Sequence, residues 1–417
     1  MMKKIYLDYA AITYTDRRIV RAMEPYFEKI YGNPSSIHKE GRKAKYALYQ
    51  ARKKIAQILN CQSTEVIFTG SGTESCNLAI FGMAENFSGK KGHIITSQIE
   101  HHAVLRPCEK LEKEGFKVTY LPVNREGIIQ ISDLEKAIKP ETILVSIMYA
   151  NNEIGTIQPV AEIGKLIKKL NIIRPPNSKI YFHIDACQAA GFLDLSVNKL
   201  EVDLLSLNGS KIYGPKGIGL LFVRLGTPIK PMILGGGQEE GLRSGTENLA
   251  GICGFAKALE IAQREKKKES ARLIKLRNYL ISGIEKKILK VVLNGHRERR
   301  LPNNVNVSIL DIEGEAALLW LDKYGIYALT GSACDSQSLE PSHVILALGR
   351  PYEHAHGSLR FSLGRKTTKK DIDYLLKVLP RVVKTLREIS PISLQFGKKS
   401  LALEKAFVKD KPHWEKR

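Results

Sequence analysis

Lys211 lies in VDLLSLNGSKIYGPKGIGLLFV, Val202 to Val223, between two apolar runs of strand length. Asn208, Gly209 and Ser210 make a turn after the first run, and Gly214, Pro215, Gly217 and Gly219 punctuate the way into the second. A lysine on such an edge can be a solvated turn residue. It can also be an amine in a desolvated pocket, where its pKa falls far enough for Schiff-base chemistry with a carbonyl cofactor.

Other reactive or ligating residues follow the same placement. Thr69 to Asn77, TGSGTESCN, joins a strand pattern to a helical one. Glycines and small hydroxyl residues at a helix start offer N–H groups and the helix dipole to a phosphate, although a turn capped by Ser71 or Thr73 has the same letters. Asp185 closes the apolar KIYFHID, with Gln188 three residues on. A carboxylate at a buried strand end needs a partner, either a protonated ring nitrogen or the N–H groups of a helix start. Glu100, His101 and His102 follow HIITS, as a cap, a surface pair or a ring stacked on a flat cofactor. Asn151 and Asn152 follow TILVSIMYA as turn formers at the same edge. Four strand ends thus carry polar groups, and their agreement favours a ligand site over four separate turns.

Cys334 lies in ALTGSACDSQSLEP, a run of small residues ahead of a helix expected from about Glu340. No bulky neighbour shields the thiol and a nearby helix amino terminus would favour thiolate, the alternative being an idle loop cysteine. Arg360, in HGSLRFSLGR, can clamp a carboxylate through two hydrogen bonds or serve a structural ion pair. His354 and His356, like His101 and His102, lack partners at a metal-ligand spacing, so no metal site is expected.

Strands and helices must alternate to bring these residues together. Ile19, Val20, Met23, Phe27 and Ile30 predict a helix closed by Gly32, Asn33 and Pro34, and Lys39 to Leu59 an amphipathic one burying Ala44, Leu48, Ala51, Ile55 and Ile58. EVIFT, HIITS, KVTYLPV, TILVSIMYA, KIYFHIDAC and VDLLSL read as strands, several of them separated by helical patterns near Thr73, Val104 to Leu111 and VAEIGKLIKKL. The pattern predicts an α/β fold: a mainly parallel sheet covered by helices, with ligands at the strand ends. No proline occurs between Pro231 and Pro302, and Leu273, Leu276, Leu280 and Ile284 keep helical spacing. A long helix there would lead to a smaller α+β domain. The expected division is a large domain of residues 15–262 and a small one of residues 1–14 with 263–417, carrying Cys334 and a basic tail.

Hydrophobic residues make up 43% and charged residues 26% of the 417, a globular composition. No apolar run reaches the roughly 20 residues of a membrane span, and MMKKIYLDYA has no signal-peptide stretch, so a soluble cytoplasmic protein is expected. The six cysteines form no C-x-x-C pair, which suits a reducing compartment. Lysine and arginine outnumber the acids by 65 to 43, a net charge of +22. Such charge could attract nucleic acid, and a protein serving chiefly that purpose is the reading from another class. The charge is spread over helix faces, with concentrations at Arg264 to Arg277, Arg297 to Arg300 and Lys398 to Arg417. Direct nucleic-acid binding is therefore not expected.

Together these residues resemble the class I cysteine desulfurases, the iron-sulfur-cluster type, within the pyridoxal-phosphate enzymes of fold type I. The matching strings are YLDYAA, GNPSS, SGTES with NLAI, the pair Glu100 and His101, NNEIG, HIDACQ, SKIYGPKGIG, GGGQEEGLRSGT, GSACDSQSLEPS and SLRFSLGR, in the family's order from residue 5 to about 395. The resemblance implies that Lys211 carries pyridoxal phosphate and shuttles protons, that Asp185 pairs with the pyridine nitrogen and Gln188 with the ring hydroxyl, and that His101 stacks on the ring and is catalytic, acting in proton transfer. Gly72, Thr73, Asn208 and Ser210 would surround the phosphate, joined by Thr246 from a second subunit of a homodimer. Asn152 and Arg360 would hold the substrate carboxylate. Cys334 would take sulfur from L-cysteine as a persulfide, releasing L-alanine and serving an iron-sulfur scaffold and tRNA-thiolating enzymes.

Some positions depart from the family. Ser210 replaces a usual histidine, Asn208 a usual serine and Cys76 a common aspartate; Ser210 and Asn208 still donate hydrogen bonds. The tail LEKAFVKDKPHWEKR does not match. A lyase acting on selenocysteine is the nearest other reading, whereas a simple aminotransferase needs no thiol at Cys334.

Overall fold

Apolar runs and their interruptions set the order of elements. The computed structural model describes residues 4–87, 92–331 and 341–389; Cys334 and the tail from Lys398 lie outside the described residues. Strand β1 (Ile5–Tyr6) is followed by helices α1 (Arg17–Met23), α2 (Pro25–Glu28) and α3 (Lys39–Leu59). The single helix expected from Ile19 to Ile30 is two, because Pro25 has no N–H to extend α1 and instead takes the first position of α2. Helix α3 buries Ala44, Leu48, Ala51, Ile55 and Leu59 along one stripe and stops at Asn60, a left-handed cap with φ 58°. Ile58, expected in that stripe, is only partly buried.

Strand and helix then alternate through β2 (Val66–Thr69), α4 (Gly72–Glu85), β3 (His93–Ser97), α5 (His102–Lys113), β4 (Lys117–Leu121), α6 (Ile131–Ala137), β5 (Thr142–Met148), α7 (Val160–Ile173), β6 (Tyr181–Asp185), α8 (Val197–Leu200), β7 (Leu204–Asn208) and β8 (Gly219–Val223). The strands form one seven-stranded sheet in the order β2-β8-β7-β6-β5-β3-β4. Only β8 runs against its neighbours. Every residue of β3, β5 and β6 is buried, as in a parallel sheet covered on both faces. Since β2 shares the direction of β3, β5, β6 and β7, the carboxyl ends of all five fall on one edge, where such sheets hold ligands.

Helix α9 (Leu249–Lys287) runs for 39 residues. Its first half, with Leu249, Ile252, Phe255 and Leu259, packs into the core of the large sheet. Its second half, with Leu273, Leu280 and Ile284, packs into a separate core with Leu7, Val305, Phe361 and Leu379. That core is completed by β9 (Val291–Leu293), β10 (Asn304–Ile309), α10 (Gly314–Lys323), β11 (Ile326–Tyr327), β12 (Ser358–Ser362) and α13 (Lys369–Ile389), whereas α11 (His343–Ala347) and α12 (Tyr352–His356) pack with Ile99, Met148 and Ile154 in a further cluster. Antiparallel β12-β10-β9 and the parallel pair β1-β11 make the two small sheets of the former core. The fold is thus α/β, with a helix-covered, mainly parallel sheet and a smaller α+β part. Helix α11, expected from about Glu340, starts at His343 after the cap Ser342.

Candidate active site

The carboxyl edge of the main sheet encloses a cavity of about 170 Å³, whose walls include Gly72, His101, Asn152, Asp185, Lys211 and Arg360. From β2, the chain enters α4 through a tightly bonded turn. Ser71 Oγ accepts from the Glu74 N–H at 3.1 Å, Gly70 N–H donates to Glu74 Oε2 at 2.8 Å, and the Thr69 and Ser75 hydroxyls meet at 2.7 Å. These bonds hold Gly72 and Thr73 on the cavity wall. A Cβ on Gly72 would lie 2.6 Å from Cys187 Sγ and 3.2 Å from the Asn208 Cβ, so only glycine brings the helix start this close. The first N–H groups of a helix have no partner within it, and they carry its positive end.

Strand β7 ends at Asn208, whose Oδ1 accepts from both the backbone N–H and the hydroxyl of Ser210 at 3.0 Å. That cap starts a short 3-10 turn, Gly209–Lys211, which sets Lys211 on the cavity wall. Lys211 Nζ donates to the carbonyls of Ala10, at 3.1 Å, and Ala11. Gln188 Nε2 donates to the same Ala10 carbonyl at 2.9 Å. Asp185, at the end of β6, is buried, and its Oδ1 accepts from the Cys187 N–H at 2.9 Å.

His101 caps α5, its Nδ1 accepting from the Ala103 N–H at 3.0 Å. A neutral ring in that bond carries its proton on Nε2. Burial holds the charged form of His101 down, with the Asp185 carboxylate opposing and Lys211 adding to the effect. The cap and the cavity wall are therefore one residue, and the two readings of its sequence position are compatible.

From the small sheets comes Arg360, 1% exposed. Its Nη2 meets Asp8 Oδ1 at 2.9 Å and its Nη1 donates to the Asn152 carbonyl at 3.0 Å, while Nε has no partner among the described residues. Burial raises the Asp8 carboxyl, and the Arg360 charge opposes that rise. Asn151 is a turn former: its side chain binds the Ile99 carbonyl and the N–H groups of Glu153 and Ile154 at 2.8 to 2.9 Å.

Behind the cavity Glu100 is wholly buried, accepting from the Ser97 hydroxyl at 2.5 Å and the Met148 N–H at 3.0 Å. Burial pushes its carboxyl up to about 8. Burial also raises Cys61, Cys76, Cys108, Cys187 and Cys253, the five described cysteines, so none of them is held as a thiolate.

Gly72, Thr73, His101, Asn152, Asp185, Gln188, Asn208, Lys211 and Arg360 thus all border one cavity. Ser210 does not line it, since its hydroxyl turns back to Asn208. Thr246 is exposed and is not among the residues that line it, and Cys334 lies outside the described residues. Asp8, Cys187 and the carbonyls of Ala10 and Ala11 escaped the sequence reading. The strings YLDYAA and HIDACQ contain them, but nothing in their spacing indicated which side chain or carbonyl would meet Arg360, Gly72 or Lys211.

Pyridoxal phosphate fits this wall. Its phosphate suits the glycine-lined helix start, its ring nitrogen the buried Asp185, and its aldehyde the Lys211 amine. The fold and these three groups define a pyridoxal-phosphate enzyme of fold type I. The aminotransferase class-V profile matches residues 5–375, and the chain belongs to this family. It is 53% identical over 391 residues to cysteine desulfurase IscS of Dictyoglomus turgidum, covering 94% of this chain and 97% of that one. It is 51% identical to cysteine desulfurase IscS of Methanosarcina thermophila, covering 94% and 95%. Among solved structures, a NifS-like protein superposes with a TM-score of 0.85 at 40% identity over 92% of this chain and 100% of that one. A structure described as SspA in complex with cysteine superposes with a TM-score of 0.76 at 37% identity over 87% and 99%.

Proposed function

We propose that this cavity converts L-cysteine to L-alanine and that Cys334 receives the sulfur. The observation that carries the reading is the meeting of Lys211, Asp185 and the glycine-lined start of α4 on one sheet edge, with Arg360 entering from the small sheets. The chain is a pyridoxal-phosphate-dependent cysteine desulfurase, like the relatives it matches over nearly its whole length.

When bound, pyridoxal phosphate supplies a sink for the electrons left as the substrate's Cα proton departs. Asp185 would balance the charge of the ring nitrogen, Gln188 would bind the ring hydroxyl, and His101 would cover the ring. Gly72, Thr73 and Asn208 would hold the phosphate, with Ser210 fixing the Asn208 side chain. Arg360 and Asn152 grip the substrate carboxylate, and the bonds from Arg360 to Asp8 and to the Asn152 carbonyl set its orientation. The Lys211 amine, on the cavity wall, would take the proton from the substrate's Cα and return one. The Cys334 thiolate attacks the substrate sulfur: an S–S bond forms, the C–S bond breaks, and its electron pair is protonated at Cβ. L-Alanine leaves and Cys334 carries the persulfide, so the carbon is reduced as the sulfur is oxidised, with no outside reductant.

The working unit is a homodimer in which Thr246 reaches the phosphate of the other subunit. Its exposure supports this, as does the exposed apolar run Met232, Ile233 and Leu234 on the same segment. The different buried cores at the two halves of α9 support a large domain of residues 15–262 and a small one of residues 1–14 with 263–417, with a smaller cluster around Ile154 and Ile345 packing one against the other. The persulfide serves an iron-sulfur scaffold and, as a second outlet, tRNA-thiolating enzymes. The compartment is the cytoplasm, in keeping with free thiols at all five described cysteines. No helix of the described residues is long and apolar enough to cross a membrane.

The cofactor assignment is tested by visible absorption and cofactor content. Wild type reconstituted with pyridoxal phosphate should be yellow with about one cofactor per chain, and Lys211→Ala should lose that band. A wild type that cannot be reconstituted contradicts the reading.

A further inference from the structure

Glu153 is 1% exposed and follows Asn152 directly, yet its side chain has no part in the chemistry above. Its backbone is fixed on both sides. The N–H donates to Asn151 Oδ1 at 2.8 Å, and the carbonyl accepts from Asn304 and Asn306 of β10 at 3.0 and 3.2 Å. The carboxylate therefore has a set direction, toward the two chain ends between which residues 332–340 run. Glu153 Oε2 accepts from the Ser342 hydroxyl at 2.5 Å, and a Cβ built on Gly331 would lie 3.2 Å from the same oxygen. One buried carboxyl oxygen thus binds the Ser342 flank and lies beside the Gly331 flank.

Each flank is also bound to the substrate side of the cavity. Before Gly331, Leu329 exchanges backbone hydrogen bonds with Arg360. After it, the Ser342 hydroxyl accepts from the Ile345 N–H at 3.2 Å, and His343 Nε2 meets the Glu100 carbonyl at 3.0 Å. The attachment points of the Cys334 segment are thereby referenced to Arg360 on one side and to the neighbour of Asn152 on the other.

We propose that Glu153 is a positioning residue for sulfur transfer: it holds the two ends of the segment that carries Cys334 at a fixed place relative to the residues that grip the substrate carboxylate. The inference rests on the desulfurase reading. It makes Glu153 matter for the step at Cys334 and not for cofactor or substrate binding. A hydrogen bond held in a buried place, away from competing water, restrains the ends that it joins.

The test uses the full-length holoenzyme as wild type, Glu153→Gln, Ser342→Ala, the double variant and Ser342→Thr. Three quantities are read: the single-turnover rate of persulfide formation on Cys334, the visible cofactor band, and the dissociation constant for L-alanine from that band. Glu153→Gln and Ser342→Ala should each slow persulfide formation roughly tenfold, the double variant should be no slower than the singles, and Ser342→Thr should restore the rate. The band and L-alanine binding should stay within about twofold of wild type. Persulfide rates near wild type in both single variants overturn the inference. So does a fall matched by lost L-alanine binding, which would make Glu153 a support for Asn152 alone, and so do additive effects. Absence of persulfide on wild type overturns the desulfurase reading itself and is seen before any variant is compared.

Discussion

Arg360 and Asp8, 352 residues apart in the chain, meet at 2.9 Å on the wall of the cavity. With a second donor on the Asn152 carbonyl at 3.0 Å, the guanidinium is oriented before any substrate arrives. A lysine cannot reproduce that fork. Arg360→Lys should raise the KM for L-cysteine by roughly ten- to a hundredfold, and Asp8→Ala by about tenfold, with kcat less affected. Steady-state kinetics under saturating cofactor check this; equal falls in kcat with KM unchanged would place Arg360 elsewhere in the reaction.

Gly72 sets how closely α4 approaches Cys187 and Asn208. In Gly72→Ala the new methyl group would collide with Cys187 Sγ, 2.6 Å away. Overpacking of this kind costs about 1–3 kcal/mol, so cofactor retention in dialysis should fall roughly tenfold or more. Adding Cys187→Ala should recover part of the loss, because the Asn208 contact at 3.2 Å remains. Retention of cofactor by Gly72→Ala at the wild-type level would remove the close approach from the account.

Glu100 gives the chain a stability slope of known sign. Its carboxyl rises from 4.5 to about 8, chiefly through burial. Between those values the folded chain holds a proton that the unfolded chain has released, so stability falls as pH rises through that window and levels off above about 8. Glu100→Gln is neutral at every pH. Its Tm should therefore decline less than that of wild type between pH 5 and pH 9, and parallel thermal-denaturation curves would contradict the assignment.

The strand ends were legible in the sequence because parallel topology converts chain order into place. Once EVIFT, HIITS, TILVSIMYA, KIYFHID and VDLLSL are strands of one direction, the residues following each must share an edge. Lys211 was legible for the same reason, its turn being short and glycine-rich. The contacts that tie this edge to the small sheets were not. Asp8 with Arg360 and Glu153 with Ser342 are separated by 352 and 189 residues, and hydrophobic periodicity carries no information about such pairings. The break between α1 and α2 was written in Pro25, but the apolar spacing on both sides hid it. The start of α11 at His343 follows from Ser342, whose hydroxyl caps the Ile345 N–H at 3.2 Å.

Sulfur transfer to Cys334 is most directly tested by a single turnover of L-cysteine without added reductant, comparing wild type with Cys334→Ser. Wild type should yield about one alanine per site and a persulfide on Cys334, and the variant neither. Equal alanine from both proteins would contradict the account, because the sulfur would then leave the substrate without Cys334.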